Sequence, residues 1–413
     1  MKTYGNLPAV LVAIVLAVVP VVAAFSSGTS EAANQGPVTI TVWMGAWWKD
    51  QAPVVEKAYA ADHKDTLKIE TFPYDGYAEK VTTAIMGNVP PDVVALDDAM
   101  QNPLAGKNLL QPFEGVTRGD FSLGMWEAGT YQGKVYAIPY RADATGIFYN
   151  KDMFDKAGIP YPTKEWSWED FRKIAKQLTI PGKQYGFGVS GSAAAASDVA
   201  DFVLPLIWSF GGDVIKDGKC VLDQPGAIKG MKFWADLVRV DGVSPEGSVN
   251  YDTKDYLEFF LGGRLAMLES ASNLVPQLKA KAKDINWDFV ANPGGNFARN
   301  SGYGFSIPVG AKHPAQGREF INWFTTPDNL SRLTIRMPGR SSATTSPPWN
   351  EPVYKKILKA TETTRNQPII PQWIEIRAVM IRELQRVLTG EQTVDQAARI
   401  MTDSANKILE TKN

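Results

Sequence analysis

Cysteine is almost missing: Cys220 is the only one in 413 residues, so no intramolecular disulfide can form. A chain this long can bury a large apolar core and has no need of one. Histidine is nearly as scarce. His63 and His313 are the only two, and neither has a second ligand at a metal-binding spacing, which argues against a structural zinc or a histidine-based catalytic site. There is no Gly-x-Ser-x-Gly elbow and no Gly-x-x-x-x-Gly-Lys loop. "GYGFSIPVG" offers only the Gly302-x-Gly304 start of a dinucleotide loop. Charge of one sign is lacking too, with 43 basic residues against 44 acidic ones and no long run of either. That balance argues against nucleic acid as a partner. No cofactor and no metal are expected.

What is present is length, tryptophan and an unusual N-terminus. The natural prior for such a chain is two domains of roughly 150–200 residues each. Twelve tryptophans are a high count and invite a search for surfaces where flat rings are useful. After Lys2 the chain is uncharged from Tyr4 to Thr29, with "AVLVAIVLAVV" at its centre. A basic start, a short apolar core and small residues after it describe an export signal, assigned to residues 1–33. Val22-Ala23-Ala24 and Ser30-Glu31-Ala32 both suit cleavage, and no cysteine near them would carry a lipid. The expectation is a freely soluble periplasmic protein.

Strand and helix patterns alternate in the next segment. "VTITVW" reads as a strand, "APVVEKAYAADH" as a helix, "LKIETF" as a strand, "YAEKVTTAIMGN" as a helix and "PDVVALDD" as a third strand. Val93 to Leu96 is continuously apolar, as in a parallel strand covered on both faces. This order predicts an open α/β sheet, in which ligands lie beyond the carboxyl ends of the strands. Trp47, Trp48, Asp97 and Asp98 fall at those ends, while Trp43 sits inside its strand and reads as core. Further on, Ser167 with Asp170 and Thr393 with Gln396 form capping boxes, and Gly390 is a helix stop.

Two kinds of chemistry remain. Asp97, Asp98, Asp143, Glu165 and Glu269 could supply the acid pair of a glycoside hydrolase, although carboxylates at strand ends often cap the next helix. Aromatic rings near Gly, Pro, Asp and Arg suit the C–H faces of sugar rings, with Asp, Arg and Asn fixing hydroxyls. Micromolar binding needs about −8 kcal/mol. A stacked ring adds only ~0.5–1.5 kcal/mol beyond its buried area, so directed polar contacts in a cleft are also required.

The stretch "GKVYAIPYRADATGIFYNKDMFDKAGIP", Gly133 to Pro160, resembles the extracellular solute-binding proteins of carbohydrate ABC transporters, the maltose-binding-protein group. "PPDVVALDD", "FLGGRLAMLES", "GREFINWFTTPDN" and "LQRVLTGEQTVDQAARIMTDSANKIL" are similar to the same family in the same order. The resemblance implies a two-lobe α/β clamshell with several hinge crossings and a sugar held between the lobes. Lobe 1 would comprise residues 38–145 plus 301–344, and lobe 2 residues 146–300 plus 345–413. The ligand contacts it implies fall on Trp47 and Trp48, on Asp97 or Asp98, on Arg141 and Asp143, on Gly302 and Tyr303, and on Arg340. Where many members place a stacking tryptophan after "AMLES", this chain has Ser272-Asn273, so Asn273 would bond a hydroxyl and stacking passes to Trp47, Trp48, Trp208 or Trp373. The implied partners are a carbohydrate and, transiently, a membrane permease, with the protein a monomer and no enzyme. The rival readings are a secreted hydrolase using an Asp pair and a binding protein for a non-sugar solute. A polyamine pocket in particular would need an excess of carboxylates in the cleft, whereas Arg141 and Arg340 argue for a neutral or mildly anionic ligand.

Overall fold

A computed structural model of the chain describes residues 36–74, 76–163, 165–294 and 297–411. The export signal expected over residues 1–33 lies outside the described residues. Gly36 to Val38 have no regular structure, and the folded body begins at Thr39.

Strands β1 (Thr39–Gly45), β2 (Thr66–Phe72) and β3 (Val93–Asp97) are parallel, with β1 in the middle. In β1 the residues Ile40, Val42 and Met44 alternate inward, whereas β3 is buried at every position. That is the pattern of a strand covered by helices on both sides. The crossovers are α1 (Ala52–Asp62) and α2 (Tyr77–Met86). A third helix, α3 (Asp98–Gly106), starts where β3 stops, because the Asp97 carboxylate accepts a bond from the Met100 N–H at 2.9 Å and caps it.

β4 (Ile138–Ala144) belongs to this first sheet, and β5 (Gly146–Asn150) already belongs to a second one. Only Thr145 separates them. After the capped helix α4 (Trp168–Gln177) come β6 (Tyr185–Phe187), α5 (Ala196–Ser209), β7 (Leu265–Ser270) and β8 (Trp287–Ala291). The second sheet has the order β8-β5-β7-β6. β9 (Ala298–Pro308) then returns to the first sheet and lies antiparallel between β3 and β4. The result is two lobes, each an α/β layer, joined by buried backbone at Thr145 and at the start of β9. The C-terminal helices α6 (Trp373–Thr389) and α7 (Val394–Glu410) pack on the second lobe. Both expected devices form there: Thr393 and Gln396 close a capping box, and Gly390 ends α6 at φ +82°.

The tryptophans divide differently from the sequence reading. Trp48 is 1 % exposed, with ring centroids 5.8 Å from Tyr140 and 6.0 Å from Phe324. It anchors the core of the first lobe and is no ligand platform, because the short helical turn at Ala46–Trp48 points it back under the sheet. Trp208 and Trp373 are likewise buried in the second lobe's core. Trp43, expected in the core, is only half-buried; its Nε1 donates to Glu70 and its ring lies 4.9 Å from Phe72. Trp48→Ala should therefore cost ~3–5 kcal/mol of stability, as large-to-small core changes do. The urea midpoint checks it: an unchanged midpoint would return Trp48 to the surface.

Candidate functional site

Strand alternation builds the site. Along β9, Arg299, Ser301 and Tyr303 share one face, and Tyr303 stands opposite Arg141 of β4. These residues line a cavity of about 400 Å³ between the lobes. Asp97, Asp98 and Tyr74 close it from the first lobe; Asp198 and Asp201 of α5, Glu269 of β7 and Asn273 close it from the second. Its volume falls in the range of small-molecule sites.

Arg299 ties the walls together. Its Nη1 donates to Asp98 Oδ2 at 2.8 Å and to the Asn300 carbonyl at 2.9 Å, while its Nε donates to Asp201. Behind Asp98 a relay continues: Trp373 Nε1 donates to Gln367, and Gln367 Nε2 donates to Asp98 Oδ2 at 2.7 Å. Trp373 thus bears on the cavity at one remove, by orienting a carboxylate. Asp97 accepts from the Tyr74 hydroxyl at 2.7 Å.

Asp143 is fully buried and lines nothing. It pairs with Arg141 at 3.1 Å and accepts from the Ser272 N–H at 3.0 Å and from the Ser272 hydroxyl, joining β4 to the turn after β7. Arg340 is also engaged elsewhere, with Nε and Nη2 on Asp120 and Nη1 on the Thr325 carbonyl. Gly302 lines the cavity, but its missing side chain answers to packing: a Cβ there would meet the Arg141 carbonyl and Met125 Sδ, both at 2.4 Å. Trp47 stands behind Tyr303, edge to face at 5.3 Å, with the Arg336 guanidinium 5.6 Å over its ring. The aromatic faces in the cavity itself are Tyr74 and Tyr303.

The electrostatics are uneven. Five carboxylates line the cavity against three arginines and Lys254, and Arg141 is already paired with Asp143. Burial pushes the Glu269 carboxyl well above its usual range, and Asp201 and Asp198 add to the rise. Burial likewise lifts Asp201 to about 6 against the opposing pull of Arg299, and lifts Asp97 with help from Asp98. At the other end, burial and the neighbouring Arg141 charge lower Arg336 to about 10. Among the described residues no group of three His, Cys, Asp or Glu side chains is placed to hold a metal ion, and no helix is long and apolar enough to cross a membrane.

Of the residues singled out in the sequence, the cavity gathers Asp97, Asp98, Arg141, Asn273, Gly302 and Tyr303. It leaves Trp47, Trp48, Asp143, Trp208, Arg340 and Trp373 outside. Sequence reasoning missed Arg299, Arg336, Asp198 and Asp201. The spacing of Asp198 and Asp201, one helical turn apart in an otherwise apolar stretch, was the available signal.

With that geometry in place, a family model for bacterial extracellular solute-binding proteins matches residues 45–330. The chain belongs to that family. A solute-binding protein of Thermotoga lettingae, solved with alpha-D-tagatose bound, is 25% identical and superposes with a TM-score of 0.80 over 90% of this chain and 99% of its own. A Brucella abortus protein named as a binding protein is 26% identical over 369 residues, 86% of this chain and 89% of that one. The arabinooligosaccharide-binding protein of Bacillus subtilis is 23% identical over 274 residues, 63% of this chain and 62% of its own.

The raised carboxyl groups of this solute-binding protein set the sign of its pH dependence. Asp201 is held at about 6, above its unfolded value, so the folded state binds the extra proton between the two. Its contribution is complete below the unfolded pKa and is lost as pH rises through about 6. On account of Asp201 the ligand-free protein should therefore melt roughly 1 °C higher at pH 5.5 than at pH 7.5. A flat or opposite profile by calorimetry would contradict the burial of this cluster.

Proposed function

We propose that the protein captures a mono- or oligosaccharide between its lobes in the periplasm and hands it to a membrane ABC permease. The observation that carries this reading is the cavity itself, walled by both lobes and lined by directed charged groups with two tyrosine faces. Tyr74 and Tyr303 take the role of sugar platforms, and Asp97, Asp98, Asn273 and Arg141 fix hydroxyls. Lobe 1 is residues 38–145 plus 301–344 and lobe 2 residues 146–300 plus 345–413, with the hinge at Thr145 and β9. The tagatose-bound relative and the arabinooligosaccharide-binding relative support a carbohydrate as the solute. The protein works as a monomer and is exported by its N-terminal signal.

Capture needs no covalent step. Asp98 and Asp201 are both bound to Arg299, so neither is a free nucleophile or proton donor for hydrolysis. Closure is favoured only by contacts the ligand makes better when the lobes are together, and a sugar touching Tyr303 on one side and Asn273 on the other makes such contacts.

A thermal-shift screen against a carbohydrate panel tests the reading, since a ligand of the native state raises the melting temperature. At least one sugar should raise it, with no reducing sugar released on incubation. For that sugar, Tyr74→Ala should weaken binding ten-fold or more, about 1.4 kcal/mol. Unchanged affinity would remove Tyr74 from the platform, and turnover abolished by Asp98→Asn would replace capture with hydrolysis.

A further inference from the structure

The carboxylates of the cavity are not spread evenly. Arg141 and Arg336 stand by Tyr303 at one end together with Asp97, the residue opposite Tyr303, and among the described residues Arg336 forms no ion pair with a carboxylate. At the other end Asp201 is bonded to Arg299, Glu269 lies within reach of the Arg299 charge, and Asp198 stands beside Asp201 and Glu269. Here four carboxylates, with Asp98, face two cations, Arg299 and Lys254. Arg299 is already bonded to two of the four, and Lys254 is solvent-exposed. Buried negative charge without a partner is unfavourable, so this end of the cavity lacks positive charge.

Glu269 marks where the deficit is sharpest. It lines the cavity at 7 % exposure, and its Oε1 has no hydrogen-bond partner. The Thr145 hydroxyl bonds to the carboxyl and the Arg299 charge acts on it, but among the described residues Oε1 stays without a hydrogen bond. Asp198 and Asp201 project from one face of α5, a turn apart, and their charges are the largest ones acting on Glu269. A metal ion does not fit, since no three of these groups converge closely enough among the described residues.

We propose that the Glu269 end of the cleft receives an ammonium group, so that the solute is a sugar carrying a free amine. This rests on the carbohydrate reading above and narrows it. An ammonium brings three donors and one positive charge, which answers both the open Oε1 and the local deficit. Burial and the charges of Asp201 and Asp198 disfavour the Glu269 carboxylate in the empty cleft, and an ammonium beside it would offset both. Acetylation of the amine would remove the charge and two of the donors. The charge of Arg336 at the other end disfavours an ammonium there, so the amine also fixes which way round the sugar lies.

Calorimetric titration at pH 7 with matched sets decides the matter: glucosamine, N-acetylglucosamine and glucose; the galactose-configured set; and chitobiose, its diacetyl form and cellobiose. At least one amine-bearing sugar should bind ten-fold or more tighter than both neutral counterparts. Glu269→Gln and, separately, Asp198→Asn should reduce that preference to within about three-fold, with the ligand-free melting temperature showing that each variant is folded. The proposal falls if neutral counterparts bind as tightly, if neutral sugars from a wider panel bind while every amine fails, or if both variants keep the preference. In each of those cases the carbohydrate reading stands. Binding of no carbohydrate at all would remove both.

Discussion

A buried guanidinium organises this molecule. Arg299 sits near the start of the strand that returns from the second sheet to the first, and it is almost wholly removed from water. Burial alone would drive its charge off; Asp201 and Asp98 outweigh that and hold the charge in place. The two carboxylates come from different lobes, one from the first turn of α3 and one from α5. A desolvated charge tolerates no loose partner, so Arg299 fixes the distance between α3 and α5. The Trp373–Gln367–Asp98 relay then locks the C-terminal helix onto the same point. The lobes are therefore held by an ionic clasp at the cleft floor, next to the single residue, Thr145, where the chain changes sheets.

That clasp explains why the floor is acidic beyond what Arg299 can neutralise. Asp98 and Asp201 must be there for the arginine, and Glu269 and Asp198 are packed beside them. Burial raises the pKa of Asp201 and Glu269, and Asp198 adds to the rise of both. Such arrangements lower stability, and they concentrate where a binding partner offsets the cost. At the other end Asp143 both pairs with Arg141 and ties β4 to Ser272, so the cation left without an ion pair there, among the described residues, is Arg336.

Much of the framework was readable because it depends on local signals. Alternation in β1, the unbroken apolar run of β3, the two capping boxes and the Gly390 stop each follow from a few adjacent residues, and all take their expected form. The rule that ligands lie beyond strand ends placed Asp97 and Asp98 at the cavity. The tryptophans were misread because burial is a tertiary property. Nothing near Trp48 announces Tyr140 or Phe324, and both are needed to cover it. Arg299 was invisible for the opposite reason: "ARNSG" carries no motif, and its partners lie about 100 and 200 residues away.

Gly45 shows how the two levels meet at the mouth of β1. A Cβ there would come within 2.2 Å of the Trp47 indole, so the glycine lets that ring fold back over the strand end. The folded ring supports the edge of Tyr303, and Tyr303 faces the cavity beside Arg141. Trp47 thus acts on the site by holding another aromatic residue in register, and Trp48, one residue on, belongs wholly to the core. Two adjacent, identical side chains have different duties because a three-residue helical turn rotates one under the sheet and leaves the other at its rim. The tryptophan cluster is a foundation on which a tyrosine-lined cleft is built.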